Sequence, residues 1–542
     1  MIDRITSRAD YERLRRTFEW ECPEYFNFGF DVVDRWAMEQ PERTALHWIS
    51  ADVERIVSYA KLSERTNQLA NALEQLGLQR SQRVLVILPR VVAWWETLIG
   101  LFKAGLVAMP GTSLLTPGDL AYRIKAAEAS AVVTDVDGAN KIDEIADALP
   151  GLTTKIVVGE SQRPGWHSFD EIIDSSDDQP PSTQTPSGDP ALMYFTSGTT
   201  GMPKIVSHTH ASYGIGHTVT GRWWLDLHSD DLHWNISDTG WAKAAWSSLF
   251  GPMICGAGLF IEYDTGRFNP ARVLETLTDC PITTMCAAPT IYRLLIQQDL
   301  DSFEPVALRH CVAAGEPLNP EVISAWNQAT GLTVRDGYGQ TETVLLCANF
   351  PGVEVKPGSM GLPTPGIDLA VVDEAGNRLP AGREGQVAVR VEPHRPLGMF
   401  REYWQNSQAT AQAFHDGWYF TGDCAVTDED GYFWFEGRAD DVISSSAYRI
   451  GPFEVESALI EHAAVVEAAV VGKADAVRGQ IVKAFVVLAE GFEEGDELAV
   501  ELQEHVKRVT APYKYPREIE FLPELPKTVS GKIRRVELRE RP

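Results

Sequence analysis

Between Tyr194 and Lys204 the sequence reads YFTSGTTGMPK, and seven of these eleven residues are Ser, Thr, Gly or Pro. An apolar run, Ala191 to Phe195, leads into it as a buried strand would. Gly198 and Gly201 open backbone conformations closed to other residues. Ser197, Thr199 and Thr200 add hydroxyls, Lys204 adds a positive charge, and the bare N–H groups of such a loop can surround an anion. A loose cluster of this composition is usually a flexible surface loop; this tight one suits a polyphosphate. It is not a Walker loop, because Met202 and Pro203 separate Gly201 from Lys204. Two further stretches carry matching chemistry. DGYGQTET, Asp336 to Thr343, follows an apolar run, and ligands bind beyond strand ends in open α/β sheets. There Glu342 is a hard carboxylate able to hold Mg2+ through oxygen, and Tyr338 can stack on a base. YFTGD, Tyr419 to Asp423, ends in a carboxylate able to accept from both hydroxyls of a ribose.

The elements that must position these residues follow from hydrophobic patterning. Val84 to Leu88 (VLVIL) is a short continuous apolar run, the mark of a strand buried on both faces. Ala131–Thr134, Ile156–Val158, Gly258–Tyr263, Ile282–Ala287, Arg309–Ala314 and Thr333–Arg335 read as further strands. Phe30–Glu39, Tyr59–Leu76 and Trp94–Ala104 read as helices, with Gly77 a helix stop. The alternation predicts an α/β fold with parallel sheets covered by helices. Ser161–Asp189 is polar and predicts a surface connection spacing two subdomains. Gly361–Val391 predicts a small β-rich subdomain. Past Gly437 the pattern resets: Val465–Val471, Val482–Leu488 and Ile519–Leu522 read as strands and Glu497–Val509 as a helix, giving a small α/β C-terminal domain.

The chain has 542 residues, long enough for three to four domain-sized units, and a net charge of −28, which disfavours a general nucleic-acid or anionic-membrane binder. Its seven cysteines form no C-x-x-C pair and several lie in apolar runs, so free thiols in a reducing compartment are expected. The N-terminus lacks the apolar core of a secretory signal, and Asp3, Asp10 and Glu12 weaken an organelle-targeting reading. The best candidate span, Val91–Pro110, contains Glu96 and Lys103. A cytoplasmic protein with no membrane span is expected. Assembly as a homo-oligomer is left open.

The stretches above, in this order and spacing, resemble the adenylate-forming family: acyl-CoA synthetases, firefly-type luciferases and peptide-synthetase adenylation domains. The resemblance covers about Phe28 to Arg535. It implies a large N-terminal AMP- and acyl-binding domain (1–437), a hinge (438–441, with Asp440 at its centre) and a mobile C-terminal domain (442–542). It places Thr196, Ser197, Gly198, Thr199, Thr200, Gly201 and Lys204 on the phosphates. Gly315, Glu316, Pro317, Asp336, Gly337 and Tyr338 fall beside adenine. Thr341 contacts phosphate, Glu342 magnesium and Asp423 the ribose. Arg438, in EGRADD, and Arg449, in YRIGP, fall near ribose and phosphates, where the planar guanidinium suits phosphate. Lys532, in PKTVSGK, is implied to close over the acyl carboxylate and α-phosphate, where its charge offsets the repulsion of two anions.

SDTGW (Ser237–Trp241), APYKYP (Ala511–Pro516) and SSAYRIGP (ending at Pro452) are similar to medium-chain acyl-CoA synthetases. Acetate-specific relatives close the acyl pocket with a Trp at the position of Gly339, so a longer, branched or aromatic acid is expected. Trp241 and Trp246 are expected on this pocket; Lys243 either turns to solvent or meets a polar group on the acid. For CoA, Ala447 and Tyr448 lie on the implied path of the pantetheine arm, and Arg478 and Lys514 are assigned from charge and location. Relatives usually carry Gly where Ala447 stands, and its methyl either fits or narrows that path. The resemblance implies an acid:CoA ligase using ATP, Mg2+ and CoA. The rivals are an adenylating enzyme serving a separate carrier protein, a luciferase-like oxygenase, and a non-catalytic nucleotide binder. No G-x-S-x-G stretch offers an acyl-enzyme nucleophile.

Overall fold

Arg83–Ile87 is a strand with Val84 to Ile87 buried on both faces, as its unbroken apolar run requires. It pairs in parallel with Val107–Pro110 on one side and Ala131–Asp135 on the other. The helix Val92–Lys103 between them is buried over its whole length. Its two charges are neutralised inside the core: Glu96 by Arg65, and Lys103 by Asp34 at 2.6 Å. The helix Tyr59–Gln75 is capped by the Ser58 hydroxyl, and Gly77, at a φ of +84°, ends it as expected.

The computed structural model describes residues 4–182, 184–196, 203–264, 266, 268–438, 441, 443–445, 448–475, 478–527 and 533–541. Among the described residues, four sheets organise the chain. An eight-stranded sheet runs in the order 402–403, 204–209, 190–196, 107–110, 83–87, 131–135, 154–158, 167–168. A nine-stranded sheet runs 362–363, 345–348, 334–339, 310–314, 284–287, 232–236, 258–262, 44–49, 54–58, parallel through its middle and antiparallel at both edges. A five-stranded antiparallel sheet with strands between 369 and 438 forms the β-rich subdomain, reaching well past the expected 361–391, while Leu362–Pro363 joins the nine-stranded sheet. The last sheet, 443–521, packs against the helices Pro452–Ile460 and Asp496–Val509 around a core of its own.

Two expectations are corrected. Ser161–Asp189 does not space two subdomains. It carries the strand His167–Ser168 and the helix Phe169–Asp174, and the strands on either side of it belong to the same sheet. Phe169 and Ile173, one helical turn apart, are buried and anchor it, a signal hidden among polar residues. Phe30–Glu39 is not one regular helix: a π-helical turn, Gly29–Asp34, precedes the α-helix Arg35–Glu39.

Candidate active site

Several of the described candidate residues lie where strands of the two large sheets end. Val334–Gly339 and His310–Ala314 run parallel with Ala314 opposite Gly337, so the turns that follow them lie side by side. The first turn, Gly315–Pro317, needs the positive φ of Gly315, +109°. Glu316 braces it from below, accepting from the backbone N–H of Thr290 at 2.8 Å and from Arg293 Nη2 at 2.9 Å. Burial pushes the Glu316 carboxyl up, but Arg293 and Thr290 outweigh it and hold it below the usual value. Asp336 is buried; its carboxylate accepts from the N–H of Gly337 at 2.9 Å and of Leu318 at 3.4 Å, and burial pushes it up to about 8.

Asp423 is the centre of a polar network. It lies opposite Arg438 on paired antiparallel strands. Its Oδ2 accepts from the Tyr338 hydroxyl at 2.5 Å and from Gln340 Nε2 at 2.7 Å, and its Oδ1 from Arg438 Nη1 at 3.1 Å. Gln340 also donates to the Thr421 carbonyl at 2.9 Å and accepts from the Tyr419 hydroxyl at 2.8 Å. These partners fix the amide orientation: its nitrogen faces two acceptors and its oxygen a donor. These donors hold the Asp423 carboxylate in one orientation.

The phosphate-loop strands and the turn carrying Glu342 meet through Tyr403. Thr196 and Lys204 are paired across the loop mouth. Lys204 Nζ stands 4.9 Å from the centre of the Tyr403 ring, and the Tyr403 hydroxyl donates to Glu342 Oε1 at 2.8 Å. His208, further along the return strand, reaches the Thr341 carbonyl with Nε2 at 2.7 Å. Burial pushes this imidazole down to about 3, so it is neutral. A carbonyl only accepts, so Nε2 carries the proton and Nδ1 accepts from Ser212, 3.1 Å away.

On the acyl side, Trp241 is half-buried before the short helix Ala242–Ala245, and Gly339 is exposed. A Cβ on Gly339 would stand 2.7 Å from the Val344 carbonyl, so this position has no room for a side chain without backbone movement. The Lys243 ammonium does not turn to solvent: it donates to the Ala314 carbonyl, at the base of the Gly315 turn. Trp246 packs against Trp224 and His217. In the C-terminal part, Arg478 is exposed and Lys514 is paired with Glu454. Tyr448 and Arg449 lie on a strand paired with Ile443–Ser445. Ser197 to Gly201, Asp440, Ala447 and Lys532 lie outside the described residues, as do the side chains of Tyr448 and Arg449.

Tyr403, His208 and Gln340 went unassigned in the sequence. Gln340 sits inside DGYGQTET and could have been found there. Tyr403 and His208 reach their partners across 61 and 133 residues, and no local spacing reports that.

A family profile described as AMP-binding enzyme matches residues 33–404, and one described as AMP-binding enzyme C-terminal domain matches 454–532. The chain belongs to the AMP-binding enzyme family. It is 47% identical to the mouse mitochondrial acyl-coenzyme A synthetase ACSM3, the match covering 98% of this chain and 93% of that one. It is 48% identical to rat mitochondrial acyl-coenzyme A synthetase ACSM4, over the same shares. Among solved structures, the anthranilate CoA ligase AuaEII in complex with anthranoyl-AMP superimposes with a TM-score of 0.88 at 32% identity, over 96% of this chain and 97% of that one. A benzoate CoA ligase from Burkholderia xenovorans LB400 superimposes at 0.84 with 29% identity, over 95% and 100%. These AMP-binding relatives also correct the expected location. Those at 47–48% identity are named as mitochondrial, which overturns the cytoplasmic expectation. Free thiols cannot separate one reducing compartment from another. Among the described residues, no helix is long and apolar enough to cross a membrane.

Proposed function

We infer that this chain is an AMP-forming acyl-CoA synthetase that activates a medium-chain, branched or aromatic carboxylic acid. The observation that carries the site assignment is the meeting of Lys204, Tyr403 and Glu342 beside the Tyr338–Gln340–Asp423–Arg438 network. It sets a polyphosphate cradle next to a nucleoside-reading carboxylate. In the first half-reaction a carboxylate oxygen of the acid attacks the α-phosphorus of ATP, and the bond to pyrophosphate breaks. In the second, the CoA thiol loses its proton and attacks the acyl carbonyl, forming the thioester and expelling AMP. Whole-length likeness to CoA synthetases and CoA ligases sets aside delivery to a carrier protein.

Within this reading the loop Thr196–Lys204 binds the phosphates and Asp423 accepts from the ribose hydroxyls. Tyr338 and the Gly315–Pro317 turn flank adenine, with Asp336 and Glu316 bracing that turn from beneath. Thr341, whose carbonyl is fixed by His208, presents its hydroxyl to phosphate. Arg438 and Arg449 serve the ribose and phosphates, and Lys532 neutralises the meeting of the acid and the α-phosphate. Mg2+ fits the donor set: such ions are held by one or two carboxylates together with substrate phosphates, and Glu342 supplies a carboxylate beside the phosphate loop. The ion contributes charge neutralisation on the polyphosphate. Residues 438–441, around Asp440, are the turning point for the C-terminal domain, 442–542. Gly339 and Trp241 are assigned to the acyl side. Lys243, through the Ala314 carbonyl, steadies the wall between the acyl and adenine sides. Ala447, Tyr448 and Arg478 are assigned to the CoA approach. Lys514 reaches CoA phosphate only by leaving Glu454.

The test is AMP release from Mg-ATP with acids from acetate through octanoate, branched acids and benzoate, with and without CoA. The expected result is CoA-dependent turnover on four-to-eight-carbon or aromatic acids and little on acetate. AMP release that is indifferent to CoA for every acid would refute the ligase assignment.

A further inference from the structure

Tyr403 reaches Glu342 from a short segment, 398–404, that is bonded to two different parts of the site. Its first half holds the turn that carries Glu342. The Val344 N–H donates to the Gly398 carbonyl at 2.9 Å, and the Phe400 N–H donates to the Glu342 carbonyl at 2.8 Å. Its second half holds the strand Lys204–Thr209. The Arg401 N–H donates to the Ser207 carbonyl at 2.7 Å and the Trp404 N–H to the Ile205 carbonyl at 2.8 Å, with Tyr403 in register beside Val206. The partner changes at Phe400, which is wholly buried. Its own N–H serves the turn, and the next N–H along, on Arg401, serves the strand. The Phe400 carbonyl, at the point of change, accepts from a side chain: Arg395 Nη2.

The surroundings of Arg395 aim it at this carbonyl. Its guanidinium carbon lies 4.1 Å from the centre of the Phe414 ring and 5.7 Å from that of Phe400, and the two rings stack 5.2 Å apart. A cation near a ring face is attracted to it, so the aromatic pair seats the planar fork with Nη2 on the carbonyl. Nη1 reaches the Arg401 carbonyl at 3.4 Å. Two carboxylates, Glu392 and Glu402, line an open groove of about 410 Å3 together with Arg395, Ser407, Thr410 and Phe414. Glu402 pairs with its own neighbour Arg401 at 3.6 Å, and among the described residues no carboxylate forms an ion pair with Arg395. The fork is therefore committed to backbone. A buried carbonyl left without a donor is unfavourable. Without Arg395 the Phe400 peptide would turn toward the groove for water, and the bonds on either side of it, to Glu342 and to Ser207, would be disturbed together.

We propose that Arg395 is a positioning residue for the phosphate end of the site: by holding the Phe400 carbonyl it fixes the segment that joins Glu342 to the strand carrying Lys204. The proposal rests on the acid:CoA ligase reading. It is tested in the full chain by acid-dependent exchange of labelled pyrophosphate into ATP. Arg395→Met keeps an unbranched stem over the rings and removes the donors. A hydrogen bond from a charged donor corresponds to about 10- to 150-fold. Arg395 acts through Phe400, so the lower end, about tenfold, is expected in kcat, with the melting temperature little changed. Arg395→Ala opens the groove to a small solute, and millimolar ethylguanidinium is expected to restore its exchange severalfold while leaving wild type unmoved. Arg395→Met exchanging within twofold of wild type would overturn the proposal. So would a loss in folded Arg395→Ala that ethylguanidinium does not relieve, since packing alone would then account for the residue. Should neither variant fold, Arg395→Lys, which keeps stem and charge without the planar fork, is expected to lose exchange severalfold; wild-type exchange in it overturns the proposal. Failure of wild-type exchange with every acid would instead strike the ligase reading.

Discussion

Replacing Tyr403 by Phe removes one oxygen from the point where the strand carrying Lys204 meets Glu342. The hydroxyl donates to Glu342 Oε1 at 2.8 Å. Burial and the neighbouring Glu342 charge raise the pKa of this phenol, so it remains a protonated donor at any working pH. A hydrogen bond to a charged group is worth about 1.5–3 kcal/mol. If the bond orients Glu342 for the ion on the polyphosphate, its loss corresponds to about a 10- to 150-fold drop in the rate of adenylation. The ring remains, so the contact with Lys204 at 4.9 Å is kept and the effect reports the hydroxyl alone. The assay is acid-dependent exchange of labelled pyrophosphate into ATP over a range of Mg2+ concentrations. Tyr403→Phe is expected to lower exchange and to demand more Mg2+, with little change in melting temperature. Exchange within twofold of wild type, on a superimposable Mg2+ curve, would refute the reasoning.

Three further outcomes are expected. Gln340→Leu strips an amide donor from Asp423 and an acceptor from the Tyr419 hydroxyl; it is expected to raise the KM for ATP about tenfold and to narrow the preference for ATP over dATP, and an unchanged preference would remove Gln340 from ribose reading. Lys532→Ala is expected to abolish pyrophosphate exchange while ATP still binds by calorimetry, and enzyme quantitatively acetylated at Lys532 is expected to behave alike; full exchange in either form would dismiss this lysine. Glu436 faces Glu454, Lys514 and Glu384, and burial, then the Glu454 charge, pushes it up to about 7 from 4.5. A raised carboxyl favours the protonated folded form, so stability is lost as pH rises from about 4.5 to about 7. Glu436→Gln is expected to flatten that loss in urea titrations at pH 5 and 7.5, and an unaltered pH difference would contradict the assignment.

The parts of the site legible in the sequence are those whose chemistry is local. The phosphate loop, DGYGQTET and YFTGD are each continuous runs, and the apolar segments between them sufficed to foresee parallel sheets. What stayed hidden depends on chain segments that meet only after folding. Tyr403 reaches Glu342 because the two-residue strand Glu402–Tyr403 adds to the edge of the eight-stranded sheet beside Val206. Lys243 could have turned to solvent, yet it reaches the Ala314 carbonyl, an acceptor on the strand paired in parallel with Val334–Gly339. Gly337 was expected beside adenine from the resemblance alone. Its bareness is instead required by Trp224, more than a hundred residues earlier in the chain. The helix Phe169–Asp174 was missed because two buried residues among acidic ones make too weak a period to read.

The central claim is that the acid is activated by joining its own oxygen to the α-phosphorus. The most direct measurement uses an acid labelled with 18O in both carboxylate oxygens, incubated with ATP and CoA, with the AMP and pyrophosphate then examined by mass spectrometry. The account predicts one labelled oxygen in each AMP formed and none in pyrophosphate. Label appearing in inorganic phosphate with ADP as the product, or AMP formed without label, would contradict it.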